Sequence, residues 1–150
     1  MEDPMGFAPI KNWSEDWGGE VDYLDFVNQH CDLPMLVALA GVFRPRFVEV
    51  EDCVLWDRAY KESNFRSWRA EYPADSRKIE TTLNQLRVWD IVESEENAEN
   101  QEALEFVAEC VANTWTAALR ASFPDRNFDV RVLPTDDGPV VTFSAARGSR

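Results

Sequence analysis

The chain has 150 residues, 45% of them apolar, and sets 28 carboxylates against 15 Lys and Arg for a net charge of −13. That length and composition predict one domain with a real hydrophobic core and exclude wholesale disorder. The acidic excess speaks against nucleic-acid and anionic-membrane partners, because neutralising phosphate needs a basic footprint.

Residues 1–20 read as an extended, acidic and aromatic arm. Pro4, Gly6, Pro9, Gly18 and Gly19 interrupt regular structure there, and Phe7, Ile10, Trp13 and Trp17 supply apolar anchors. MEDPMGFAPI has neither the basic start nor the apolar middle of a signal peptide, so a cytoplasmic protein is expected. A single α+β domain is expected over 21–145, followed by a loose tail at 146–150.

Within that domain a helix is predicted from about Val21 to Gln29, where Val21, Leu24 and Val27 recur every third residue. Asp32 caps a second helix with Pro34 in its first turn, ending near Gly41 before Pro45. Its apolar run, Leu33 to Phe43, is too short to span a bilayer. Residues 47–56 (FVEVEDCVLW) predict a β-hairpin turning at Glu51-Asp52. A helix follows from about Ser63 to Tyr72, stopped by Pro73. Another, capped at Asp75 or Ser76, is predicted to run to about Val92.

Glu93 to Asn100 reads as an acidic loop or frayed helix start. The longest helix is expected from about Glu99 to Ser122. Leu104, Val107, Ala108, Val111, Trp115, Ala118 and Leu119 form a stripe at helical spacing on it, the mark of a central buried helix. Phe128 to Leu133 alternates apolar and charged residues, Asp136-Asp137-Gly138 is a turn signal, and Val140 to Ser144 completes a second hairpin over 128–144. About five helices are therefore expected on a small antiparallel sheet made by joining the two hairpins.

Chemistry-bearing motifs are sparse. Asp125-Arg126-Asn127-Phe128-Asp129 opens like a calcium loop, but Val130 and Asp136 stand where an EF-hand needs Gly and Glu. His30, the single histidine, adjoins Cys31; neighbours on a helix point about 100° apart, so the pair reads as helix-end packing. Cys31, Cys53 and Cys110 are too few and too scattered for a disulfide framework or a zinc site. No nucleophile elbow, P-loop or dinucleotide fingerprint occurs, so no catalytic residue, metal ligand or cofactor is assigned. Carboxylates that converge only in the fold leave an enzyme as one alternative.

The densest signal is acidic. Between Val88 and Thr116 stand eight carboxylates and no Lys or Arg. One reading is a solvated helix face. The other is a surface for an electropositive partner, since opposite fields speed encounter and carboxylates mimic phosphates. Trp56, Trp68, Trp89 and Trp115 are assigned to the core, whereas Trp13 and Trp17 sit in the arm, where aromatics can serve as interface anchors. The basic stretch Arg58, Lys61, Arg66, Arg69, Arg77 and Lys78 reads as an internal counter-surface or a self-association face.

The expected function is thus a non-enzymatic, bacterial-type module that binds a basic protein, such as an immunity protein or inhibitor of a cationic toxin. Its expected contact residues are Trp13, Trp17, Glu93, Glu95, Glu96, Glu99 and Glu102. A structural or adaptor subunit, in a larger assembly or a homodimer, is the other alternative.

Overall fold

The computed structural model describes residues 1–147; Gly148, Ser149 and Arg150, in the expected loose tail, lie outside the described residues. It is an α+β fold. Six helices are described: α1 (Ala8–Trp17), α2 (Tyr23–His30), α3 (Leu33–Phe43), α4 (Glu62–Glu71), α5 (Ser76–Leu83) and α6 (Ala98–Ser122). The strands are β1 (Phe47–Val50), β2 (Cys53–Trp56), β3 (Leu86–Arg87), β4 (Phe128–Thr135) and β5 (Gly138–Ala145).

Helix starts follow local chemistry. Asp22 and Asp25 form a reciprocal capping box on α2, Asp32 accepts the Met35 N–H at 2.8 Å to start α3, and Asn97 caps α6. The segment expected to be an extended arm is instead largely helical. Ile10, Trp13 and Trp17 recur at intervals of three and four, Pro9 lies in the first turn, and Gly18 closes α1 in the left-handed region at φ 74°. Pro and Gly bound this helix rather than break it.

The helix expected to continue to Val92 stops at Leu83. Asn84 leaves the helix because its side chain serves two strands, and the chain then buries Leu86 and Val88 at the two-residue spacing of a strand. The resulting β3 pairs antiparallel with β5 at Leu86–Val141 and Arg87–Val140.

The two hairpins do form, but they do not join into one sheet. β1 and β2 make a two-stranded sheet, and β3-β5-β4 a three-stranded one. Two fully buried side chains of the α5 segment fill the seam between β2 and β5. Glu80 accepts the N–H of Val54 (2.8 Å) and of Ala145 (3.0 Å) and the Arg147 Nη1 (2.8 Å). Asn84 accepts the Trp56 N–H (2.9 Å) and donates to the carbonyls of Val54 (3.0 Å) and Phe143 (3.3 Å). Backbone groups that a continuous sheet would pair are satisfied by an α5 carboxylate and an amide.

The main core lies between α6 and the strands. Ala108, Val111, Trp115 and Leu119 of α6 meet Val54, Trp56, Leu86, Val88, Val141 and Phe143. Trp115 is fully buried, and its indole N–H reaches the Val42 carbonyl at 2.8 Å, tying α3 to α6. A second cluster under α4 and α5 holds Cys53, Leu55, Phe65 and Ile79. None of α1, α2 and α3 contributes a fully buried residue. No single helix among the described residues is long and apolar enough to cross a membrane.

Candidate functional site

The seven residues expected to bind a partner separate into three places. Glu93, Glu95 and Glu96 line one open groove of about 740 Å³, together with Asp136 and Asp137 of the β4–β5 turn. Trp89, Val92 and Leu104 give that groove an apolar side, and no Lys or Arg lines it. The position of Trp89 is set by the turn. Gly138 stands at φ 126°, and a Cβ there would come within 3.2 Å of the Trp89 ring. Backbone freedom at Gly138 therefore allows the indole to close over the hairpin end.

Glu99 and Glu102 are engaged by the chain's own N-terminal segment. Glu99 accepts the Ala8 N–H at 2.7 Å, and Glu102 pairs with the amino group of Met1. Trp13 and Trp17 lie in an aromatic cluster elsewhere. Trp13 packs edge-on to Phe26 and His30 and tilted against Trp17, with ring centroids 5.3–5.7 Å apart. His30 stacks on Phe26 and its Nδ1 lies 2.8 Å from the Phe26 carbonyl. Trp13 is half-buried in this cluster, while Trp17 stays exposed.

Two features of the acidic groove escape a reading of the linear chain. Asp136 and Asp137 carry a turn signal that hides their place beside Glu93–Glu96. Trp89, assigned to the core, is only half-buried and lines the groove. The single-turn helix Val88–Asp90 accounts for Trp89, since it buries Val88 and turns the next residue outward.

A second groove of about 650 Å³ adjoins α3 and has the opposite character. Arg44, Arg46, Arg58 and Arg87 line it with Asp57 and Asp90 over an apolar side of Val42, Trp56, Leu86 and Ile91. Arg46 pairs with Asp57 at 3.0 Å, and Arg58 lies over the Trp56 ring. Ile91 lines this groove and its neighbour Val92 the acidic one, so the two meet at one exposed apolar dipeptide. Of the expected basic stretch, Arg66 pairs with Glu62, Arg77 with Asp129, and Lys78 lies over the Tyr72 ring.

A polar knot at the β1–β2 turn brings together the groups nearest to a catalytic arrangement. Asp52 accepts from the Ser76 hydroxyl and from Arg69, each at 2.5 Å, and Arg69 also lies 2.9 Å from the Glu51 carboxylate and 3.2 Å from Cys53 Sγ. The Ser76 hydrogen bond, with Arg69 beside it, lowers the Asp52 pKa below its ordinary 3.8 against the opposing effect of burial. Burial raises the Cys53 thiol pKa above its ordinary 9.0, which disfavours the thiolate a nucleophile needs. With Cys53 and Ser76 both enclosed, this knot locks a turn whose first residue, Glu51, sits at φ 55°. Asp125 and Asp129, the ends of the calcium-like run, join no cluster of three or more metal-ligating side chains among the described residues, and Asp129 pairs with Arg77 and Arg131, both at 3.2 Å.

No protein-family model, curated protein or solved structure matches the chain.

Proposed function

We propose that this chain is a non-enzymatic protein-binding module that holds a basic segment of a protein partner in its acidic groove, in the manner of an immunity protein or inhibitor of a cationic toxin. The observation that carries this reading is five carboxylates around an apolar wall with no base among them. Glu93, Glu95, Glu96, Asp136 and Asp137 supply the field that draws a Lys- or Arg-rich segment in. The Trp89 face supplies a cation–π surface for one of its side chains. Single exposed pairs of this kind contribute about 0–1 kcal/mol each, so affinity rests on several acting together and on exclusion of water at Trp89. Glu99 and Glu102 act indirectly, by holding the N-terminal segment, and Trp13 and Trp17 stand apart from this contact.

The test compares wild type with E93Q/E95Q/E96Q as baits for host proteins, eluted in salt steps. A basic protein that leaves wild type at moderate salt and fails to bind the triple variant supports the reading. Equal retention by both baits, or retention that ignores salt, contradicts it.

A further inference from the structure

The N-terminal helices carry the largest unpartnered apolar surface of the molecule. On α3, Leu33, Leu36, Val37, Ala40 and Gly41 are all exposed, at the i, i+3, i+4, i+7, i+8 spacing of a stripe that packs against another helix. The exposure is large: 73% for Leu33, 64% for Val37 and 67% for Leu24 of the adjoining α2. Leu24 and Val27 share a shallow groove with Leu33 and Leu36, so the surface is continuous across both helices. These side chains expose apolar area on the order of 500 Å², within the range of a monomer's largest patch. A stable dimer buries about 800 Å² per partner, which this face and its rim can supply.

We infer that this face is occupied by a second copy of the same chain, with the two α3 helices antiparallel about a two-fold axis near Val37. The order of residues on the stripe argues for the copy. It runs from large to small, Leu33 and Leu36 at one end and Ala40 and Gly41 at the other. Antiparallel pairing centred on Val37 sets each large end against the partner's small end. An added Cβ at Gly41 meets nothing within 4 Å in the single chain, so space is open there for the Leu33 side chain of a second copy. The charges agree. α3 carries no ionisable residue, exposed Asp32 caps its start, and exposed Arg44 closes its end without an ion-pair partner among the described residues. Antiparallel pairing brings each Asp32 toward the other copy's Arg44 and opposes the two helix dipoles.

Sedimentation of the full chain at concentrations on the order of 10 µM reads the mass directly. The expected result is a dimer, halved in mass by V37E with the helical circular dichroism kept, since Val37 is exposed in the single chain, and with a melting temperature that, unlike the wild type's, does not depend on protein concentration. Disulfide trapping then tests the geometry in a C31S/C110S background. V37C should cross-link to itself. L33C should cross-link to G41C in a mixture far faster than to itself, because the two L33C sites lie about 12 Å apart along the helix axis. A monomer at this concentration overturns the proposal, as does a dimer indifferent to V37E. A monomeric protein that instead binds lipid vesicles through this face overturns it in favour of a membrane surface. Basic-segment binding is measured separately through E93Q/E95Q/E96Q, so failure of either idea leaves the other standing.

Discussion

At the scale of single residues, Glu80 does the most unusual work. A fully buried carboxylate is costly unless every lone pair finds a donor, and here two strand N–H groups and Arg147 supply them. Glu80→Ala leaves the buried Val54 N–H and the part-buried Ala145 N–H without an acceptor, while the Arg147 guanidinium keeps its bond to the Asp52 carbonyl at 2.9 Å. The expected loss is about 1–3 kcal/mol in chemical denaturation, the range for leaving a buried donor unsatisfied. A loss comparable with that of an exposed Glu→Ala change would show that the seam does not depend on it. Asp52 gives a pH-dependent counterpart. Its folded pKa is lowered by the Ser76 hydrogen bond first and by Arg69 as well, so its stabilising contribution is full above the ordinary value of 3.8. That contribution is lost as pH falls through the lower folded value. Asp52→Asn should therefore destabilise the protein at neutral pH, and the gap between variant and wild type should narrow as pH falls through the acid range. A gap constant from neutral pH down to acid would contradict this linkage.

At the scale of elements, the β4–β5 turn couples backbone conformation to the acidic groove. Gly138→Ala meets both a positive φ and the Trp89 ring at 3.2 Å. The substitution is expected to cost about 1–3 kcal/mol and to alter the fluorescence of Trp89, checked by thermal melts and emission spectra of wild type and variant. Unchanged stability and emission would mean that the turn and the indole are not packed together. The elements differ in how far their residues announced them. α6, α3 and the two hairpins follow from stripes, caps and alternation that are local in the chain. α1 is hidden in the sequence because Pro9 and Gly18 look like breaks, whereas they stand at its two ends, where Pro and Gly bound a helix. β3 was hidden because Leu83, Leu86 and Val88 also fit a helical stripe; the departure at Asn84 depends on hydrogen bonds to Val54 and Phe143, which are 30 and 59 residues away. The separation of the two sheets has the same cause, since no local pattern shows that Glu80 and Asn84 will occupy a seam.

At the scale of the whole molecule, a well-packed centre of α6 and strands carries a lightly packed N-terminal helical layer and two grooves of opposite charge. The eight-carboxylate run was legible as a feature, but only part of it acts as one surface. Glu93, Glu95 and Glu96 gather in a groove, Glu99 and Glu102 fasten the N-terminal segment, and Asp136 and Asp137 arrive from another region of the chain. Local sequence supplied the charge, and the fold decided which carboxylates share a field. The arginine groove is hidden for the same reason, as its four bases come from three separate segments of an acidic chain. The most direct measurement is an isothermal titration of a purified basic partner against wild type, W89A and E93Q/E95Q/E96Q at low and high salt. Binding to an acidic groove predicts a steep salt dependence for wild type, a flatter one with at least tenfold weaker low-salt affinity for the triple variant, and weakened binding with the salt slope kept for W89A. Equal affinities and equal slopes for all three proteins would contradict it.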